Sequence, residues 1–247
     1  EGYIAKLIEK GYKVAICEQL EDPKLAKGIV KRDVIKVVTP GTVVESTILE
    51  EKKNNYLMAI YKEGIYFGLA VCDISTGDFY ATEIKEENNY AKLIDEISRY
   101  NPSELVINKM MNESVEEINY IKQRFNCFIS VVDEFDCDYQ KIDKEFDLRD
   151  DRGESIQSIK TKLFAVSAIN GLMYYIEDTQ KARLENLNQI TIYNTTKYMS
   201  LDINARRNLE LTEKMRDKSK KGTLLWVLDK TDTSMGGRLL RRWISDP

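Results

Sequence analysis

YMSLDINARRNLELTEKMRDKSKKGTLLWVLDKTDTSMGGRLLRRWI, residues 198 to 244, is the stretch on which the reading of the chain turns. Met199 and Leu201 alternate with Ser200 and Asp202, which predicts a short extended entry. Asp202 can then cap a helix by accepting from an orphan N–H. Ile203, Leu209, Leu211 and Met215 are the apolar positions of that predicted helix; Arg206, Arg207, Lys214, Arg216 and Lys218 are its basic ones. Lys220-Lys221-Gly222 closes it, with a cationic last turn and a glycine free to adopt positive φ. Thr223 opens a second apolar run to Leu228, and Asp229 to Ser234 reads as a polar loop. Met235-Gly236-Gly237 leads into a last helix with Leu239, Leu240, Trp243 and Ile244 on one face. Trp226 and Trp243 each lie in an apolar periodic run and are predicted to be core side chains. Between Arg206 and Arg242 bases exceed acids by about six, a local positive patch.

Working outward, Ser155 is a candidate cap for a helix from Ile156 to Gln180. Ile156, Ile159, Leu163, Val166, Ile169, Met173 and Ile176 follow spacings of three and four. At ~1.5 Å per residue its roughly 25 residues span about 37 Å. Gly171 within it points to close packing against a neighbour. Leu187 to Tyr193 is read as the crossing towards residue 198. Tyr56 to Tyr61, Tyr66 to Ile74 and Asp78 to Ile84 are β-rich, and the short links Glu63-Gly64 and Ser75-Thr76-Gly77 predict an antiparallel meander. A helix (Asn89 to Tyr100), a strand (Glu104 to Ile107), a helix (Glu113 to Phe125) and a strand (Phe128 to Val132) follow. Asp133 to Glu154 is acidic and reads as a loop with a short helix near Lys141 to Phe146. At the start, an amphipathic helix from Tyr3 to Lys10 stops at Gly11. Strands Tyr12 to Cys17 and Val30 to Val38 flank a short helix begun by Asp22-Pro23. Thr39-Pro40-Gly41 is a turn, with proline at i+1 and glycine allowing positive φ at i+2. A domain boundary is placed there.

The 247 residues suffice for one or two cores, and 43% hydrophobic with 32% charged residues fits a globular chain with a heavily solvated surface. A net charge of −4 is not that of a dedicated nucleic-acid binder, so any DNA contact must come from a local patch. Cys17, Cys72, Cys127 and Cys137 lack paired spacing and read as reduced, mostly buried thiols of a cytosolic protein. The absence of histidine removes the commonest general base and every Ser–His or Cys–His nucleophile, and with unpaired cysteines it leaves no zinc site. No apolar run approaches a membrane span. The chain begins at Glu1 without a methionine and is read as a fragment of a longer protein.

Two blocks carry a resemblance. One is Leu201-Asp202, Arg207-Asn208-Leu209-Glu210-Leu211, Thr223-Leu224, Leu228-Asp229, Thr231, Thr233, Met235-Gly236, Arg238, Leu240-Arg241 and Trp243-Ile244. It resembles the start of the core (lever) domain of MutS-type DNA mismatch-repair proteins. The other, Val14-Ala15-Ile16-Cys17-Glu18-Gln19, Asp22-Pro23, Lys27-Gly28, Arg32 and Val38-Thr39-Pro40-Gly41-Thr42, is similar to the end of that family's mismatch-binding domain.

The resemblance implies three parts. Residues 1–40 would end the α/β mismatch-binding domain, 41–186 would be an α/β connector with a ribonuclease-H-like layer fold, and 187–247 would begin the α-helical core. The family's mismatch-wedging Phe and Glu have no match here. It also implies a bacterial, cytoplasmic, nucleoid-associated homodimer that binds mispaired or looped-out duplex. ATP and Mg would act in the full-length protein and a MutL-type partner would be recruited. Neither cofactor is expected in this chain, which has no G-x-x-x-x-G-K-[ST] phosphate loop.

Arg206, Arg207, Arg241 and Arg242 are the candidate DNA contacts. Tyr139, Gln140 and Lys141 are the candidate MutL-docking surface, carried over by position. No catalytic or metal-ligating residue is assigned. Two other readings stay open: a protein-docking scaffold without DNA binding, and a metal-dependent nuclease using Asp73 with Glu104 and Asp133, although the first strand holds no carboxylate.

Overall fold

The computed structural model describes residues 2–21, 29–44, 49–87, 90–182, 184–195 and 201–245. Helix α1 (Gly2–Glu9) is followed by strands β1 (Val14–Gln19) and β2 (Arg32–Val38), which pair antiparallel. Ile8, Val38 and Val43 form their small core. The Thr42 amide closes the expected turn by donating to the Thr39 carbonyl at 3.1 Å. Gly41, however, is not among the positive-φ glycines. Its reason is space, since a Cβ there would lie 2.7 Å from Leu57 Cδ1 and 2.8 Å from Glu104 Cβ. The short helix expected after Asp22-Pro23 and the entry at Met199 and Ser200 lie outside the described residues.

The meander is present as β3 (Leu57–Glu63), β4 (Tyr66–Asp73) and β5 (Asp78–Lys85). The chain then runs through α2 (Ala91–Tyr100), β6 (Glu104–Ile107), α3 (Lys109–Asn112), α4 (Val115–Phe125), β7 (Phe128–Val131), α5 (Tyr139–Glu145), β8 (Asp147–Asp150), α6 (Leu163–Gln180) and β9 (Gln189–Ile192). The sheet order is β7-β6-β3-β4-β5-β9-β8, with every pairing outside the meander parallel.

Alternation along the strands divides two cores. Leu57, Ala59, Ala70, Cys72 and Ala81 face α6, while Met58, Ile60, Leu69 and Val71 face α2, α3 and α4. Such strands, buried on both faces, read as continuous apolar runs. Ala59, Ala70 and Ala81 stand in register across the meander and let α6 approach. Gly68 is the limiting case, since its Cβ would fall 1.7 Å from the Phe164 carbonyl oxygen.

Glu104 joins the first segment to this sheet. It is fully buried. One carboxylate oxygen accepts from Thr39 Oγ1 at 2.5 Å and the Gly41 amide at 3.0 Å; the other accepts from Ser130 Oγ at 2.7 Å and the Tyr175 hydroxyl at 2.5 Å.

The helix expected from Ile156 starts at Leu163. The Ile156 amide donates instead to the Leu148 carbonyl at 2.8 Å and the Ile159 amide to Asp143 at 2.9 Å, while Ser155 bridges Arg149 rather than capping. Asp147–Asp150, expected to be loop, is an edge strand whose charged residues hide it from an apolar pattern. Leu187 to Tyr193 contains β9, inside the sheet. The helix after Asp202 is only α7 (Ile203–Asn208); Glu210 turns back at φ 45° and the Leu211 carbonyl accepts from the Leu225 amide at 2.9 Å.

Asp202 does cap, accepting from the Ala205 amide at 2.6 Å, and Thr223 plays the same part further on, accepting from the Trp226 amide at 3.1 Å. Gly222 has the expected positive φ. Gly171 packs as expected, its absent Cβ leaving room for the Phe135 ring. After Thr223 come α8 (Leu224–Leu228) and α9 (Ser234–Ser245). Trp226 and Trp243, predicted to be core, are 48% and 65% exposed. Among the described residues no helix is long and apolar enough to cross a membrane.

Candidate functional site

The C-terminal ends of α2 and α4 share a local pattern, Arg99-Tyr100-Asn101 and Arg124-Phe125-Asn126. Each asparagine takes the left-handed conformation, φ 45° and 50°, and ends its helix by donating its amide to the last turn. Both arginines therefore sit at helix ends on the same side of the sheet. Helix α7 docks on α2, where the Ile203 amide donates to Asp95 at 3.3 Å. Burial raises the Asp95 carboxyl from its ordinary value.

Between these elements and α9 lies a cavity of about 450 Å³. All four arginines singled out in the sequence, Arg206, Arg207, Arg241 and Arg242, line it. Ten lysines and arginines surround it against one carboxylate, Glu213, which pairs with Lys53 at 3.6 Å. The sequence missed Arg99, Arg124, Lys53 and Arg238, because the first three are dispersed over a sheet segment without a charge run. The repeated Arg-aromatic-Asn ending was the available signal.

The four arginines differ in what they do. Arg242 Cζ lies 4.6 Å from the Tyr80 ring centroid and Nη1 donates to the Tyr80 hydroxyl at 2.6 Å. That hydroxyl donates to Asp78 at 3.0 Å. Burial pushes the Tyr80 hydroxyl pKa up against the lowering effect of Arg242. Arg206 Nε donates to the Leu201 carbonyl at 3.0 Å. Arg207 is exposed at the rim. The Nε atoms of Arg238 and Arg241 are shielded from solvent without a hydrogen-bond partner among the described residues.

A second tie lies beside the cavity. Lys52 Nζ donates to the Thr231 carbonyl at 2.6 Å and lies 3.5 Å from Asp229. Its stem rests on Gly237, where a Cβ would meet Lys52 Cδ at 2.8 Å. Asp229 also pairs with Lys220, and the hydrogen bonds from Lys220 and Thr231 hold its carboxyl well below the usual range.

Tyr139, Gln140 and Lys141 are elsewhere, in the first turn of α5 on the α6 side of the sheet. Tyr139 packs partly against the core, Gln140 and Lys141 are exposed, and both their amides donate to Asp138. Asp73, Glu104 and Asp133 are not gathered. Asp73 accepts from the side chains of Asn54 and Ser75, and Asp133 pairs with Lys109 at 2.6 Å. Among the described residues no group of three or more His, Cys, Asp or Glu could hold a metal ion.

Comparison with known families gives three matches: MutS domain I over residues 1–47, MutS domain II over 55–190 and MutS domain III over 204–247. Among individual proteins, the DNA mismatch repair protein MutS of Ruminiclostridium cellulolyticum is 54% identical over 100% of this chain. Those of Acetivibrio thermocellus and Clostridium novyi are each 49% identical, over 100% and 99% of it. The chain spans 28%, 28% and 26% of the length of these curated relatives.

Proposed function

Because the chain belongs to the MutS family of DNA mismatch-repair proteins, we propose that it serves as the mechanical link between DNA reading and nucleotide use in such a protein. In this reading the whole protein binds mispaired or looped-out duplex as a cytoplasmic, nucleoid-associated homodimer. ATP with Mg, held outside this chain, switches its state, and a MutL-type partner docks near Tyr139, Gln140 and Lys141. The three-part organisation (1–40, 41–186, 187–247) belongs to the same proposal, with β9 at the second boundary. So does a ribonuclease-H-like fold for the connector, supported by an antiparallel meander followed by parallel strands alternating with helices.

The observation that carries this reading is the joint itself. Arg242 on Tyr80 and Lys52 on Asp229 and Thr231 are directional polar ties between sheet and helical segment. Glu104 fastens the first segment to the same sheet. Displacement of one part is thereby transmitted to the others as a rigid unit rather than through a slack linker. DNA-phosphate contact is proposed for Arg206, Arg207, Arg241 and Arg242 at this joint, with the exposed Arg207 foremost.

Fluorescence anisotropy of labelled duplexes, matched and mismatched, titrated with this chain at two salt concentrations, tests the DNA part. Weak binding that falls with salt, shows no mismatch preference and drops in Arg207→Ala is expected. A clear mismatch preference would place reading determinants within these residues. Complete absence of binding would favour a docking scaffold.

A further inference from the structure

We infer that the cavity between the ends of α2 and α4 and helix α9 is a binding site for a compact polyphosphate, a triphosphate or longer, free or carried on a nucleoside. This goes beyond duplex contact at the rim and does not depend on it.

Three observations point there. The first is charge: ten cationic side chains line about 450 Å³, and of these Lys53 pairs with Glu213, Arg99 with Glu96, and Arg242 is bound to Tyr80. Arg124, Arg207, Arg238 and Arg241 make no ion pair among the described residues. Like charges gathered in a recess of reduced dielectric repel one another, and an anion in their midst removes that cost. The second is the state of the inner side chains. Arg238 and Arg241 present guanidinium groups whose Nε atoms are shielded and unpartnered. Both side chains line the cavity without an ion pair among the described residues, and a guanidinium fork matches the oxygens of a short phosphate chain.

The third is size. Small-ligand sites span roughly 300–1,000 Å³, and this cavity falls within that range. A duplex, whose major groove alone is about 12 Å wide, cannot enter it and can only pass the mouth. Arg238 and Arg241, which line the recess, are thereby in reach of a ligand smaller than a duplex.

The walls come from both parts of the molecule, Arg99 and Arg124 from the sheet layer and Arg207, Arg238 and Arg241 from the helical segment. A bound polyphosphate bridges them and holds the joint closed.

The test is calorimetric titration of this chain with sodium tripolyphosphate, with ATP in the absence of Mg, and with sulfate at matched ionic strength. Tripolyphosphate is expected to saturate a single site and raise the unfolding temperature. The double variant Arg238→Gln/Arg241→Gln is expected to weaken it at least about tenfold. Arg124→Gln, on the opposite wall, gives an independent loss should the double variant not fold, while Lys144→Ala, on α5 at the other face of the sheet, leaves tripolyphosphate binding unchanged. Equal affinity for ATP and tripolyphosphate identifies the phosphate chain as what is read; tighter ATP identifies a nucleotide. Sulfate matching tripolyphosphate, indifference to the inner variants, no saturable binding, or stoichiometric displacement by a short duplex would each overturn the inference.

Discussion

Arg242 lies over Tyr80, its Cζ 4.6 Å from the ring centroid, while its Nη1 donates to the same residue's hydroxyl at 2.6 Å. One side chain of the last helix thus makes a cation–π contact and a hydrogen bond to one residue of β5, and Asp78 accepts from that residue in turn. This joins two parts of the chain that are more than a hundred and fifty residues apart in sequence.

Arg242→Ala is therefore expected to loosen the helical segment by about 1–3 kcal/mol. Both tryptophans, Trp226 and Trp243, lie in that segment, so their fluorescence reports it separately from the far-ultraviolet signal of the sheet. In urea the tryptophan transition should move to lower concentration ahead of the sheet. Arg242→Lys should not restore it, because an ammonium lacks the planar fork. Coincident, unshifted transitions in the alanine variant would show that Arg242 does not hold the joint.

Most of the sheet was legible because its signals are local. The meander is announced by Glu63-Gly64 and Ser75-Thr76-Gly77, and α2 ends at Tyr100 as expected. What was not legible depends on distant partners. β8 has one apolar residue, Leu148, and exists because β9 lies beside it. Ile156 and Ile159 fit a helical period, yet their amides are taken by Leu148 and Asp143. Gly41 reads as a turn glycine but serves a close approach that only Leu57 and Glu104 define. At the site, Arg206, Arg207, Arg241 and Arg242 stand out as a local charge excess. Arg99 and Arg124 join them only through folding. The tryptophans show the same limit, since periodicity reveals an apolar face and not what lies against it.

Gly68→Ala is expected to prevent stable folding of the sheet layer. The added Cβ would lie 1.7 Å from a backbone oxygen of Phe164, and a helix backbone cannot yield as a side-chain tip can. Separating α6 from β4 breaks the packing over the Ala59, Ala70 and Ala81 row, a loss of at least ~3 kcal/mol. Gly64→Ala is the control, a positive-φ glycine with open space around it, and should cost only about 1 kcal/mol. Soluble yield and thermal unfolding of the two variants check this. Equal behaviour would refute the close approach.

Glu104→Gln is expected to cost about 2–4 kcal/mol. Each carboxylate oxygen accepts two hydrogen bonds, and an amide nitrogen in either place would face two donors with nothing to accept them. Because Thr39 and Gly41 belong to the first segment, the same substitution should raise the rate of proteolytic cleavage before residue 55. Urea unfolding and limited proteolysis measure the two effects. An unchanged midpoint with unchanged cleavage would mean that the network is dispensable.

Asp229 gives the pH dependence of the joint. Its carboxyl is held below the usual carboxylate range, first by the hydrogen bond from Lys220 and then by Thr231. In the unfolded chain the group titrates near about 3.9. A lowered folded pKa means that the unfolded state binds the proton more readily, so the contribution is complete above that value and is lost as pH falls towards the folded pKa. The helical segment, followed by tryptophan fluorescence, should therefore lose stability as pH drops below about 4. Asp229→Asn should show a lower plateau at neutral pH and a shallower acid limb. Lys52→Met should lower the plateau less, because Lys220 remains bound to Asp229 when Lys52 is gone. Were Asp229→Asn to keep the full acid slope, the dependence would belong to other carboxylates.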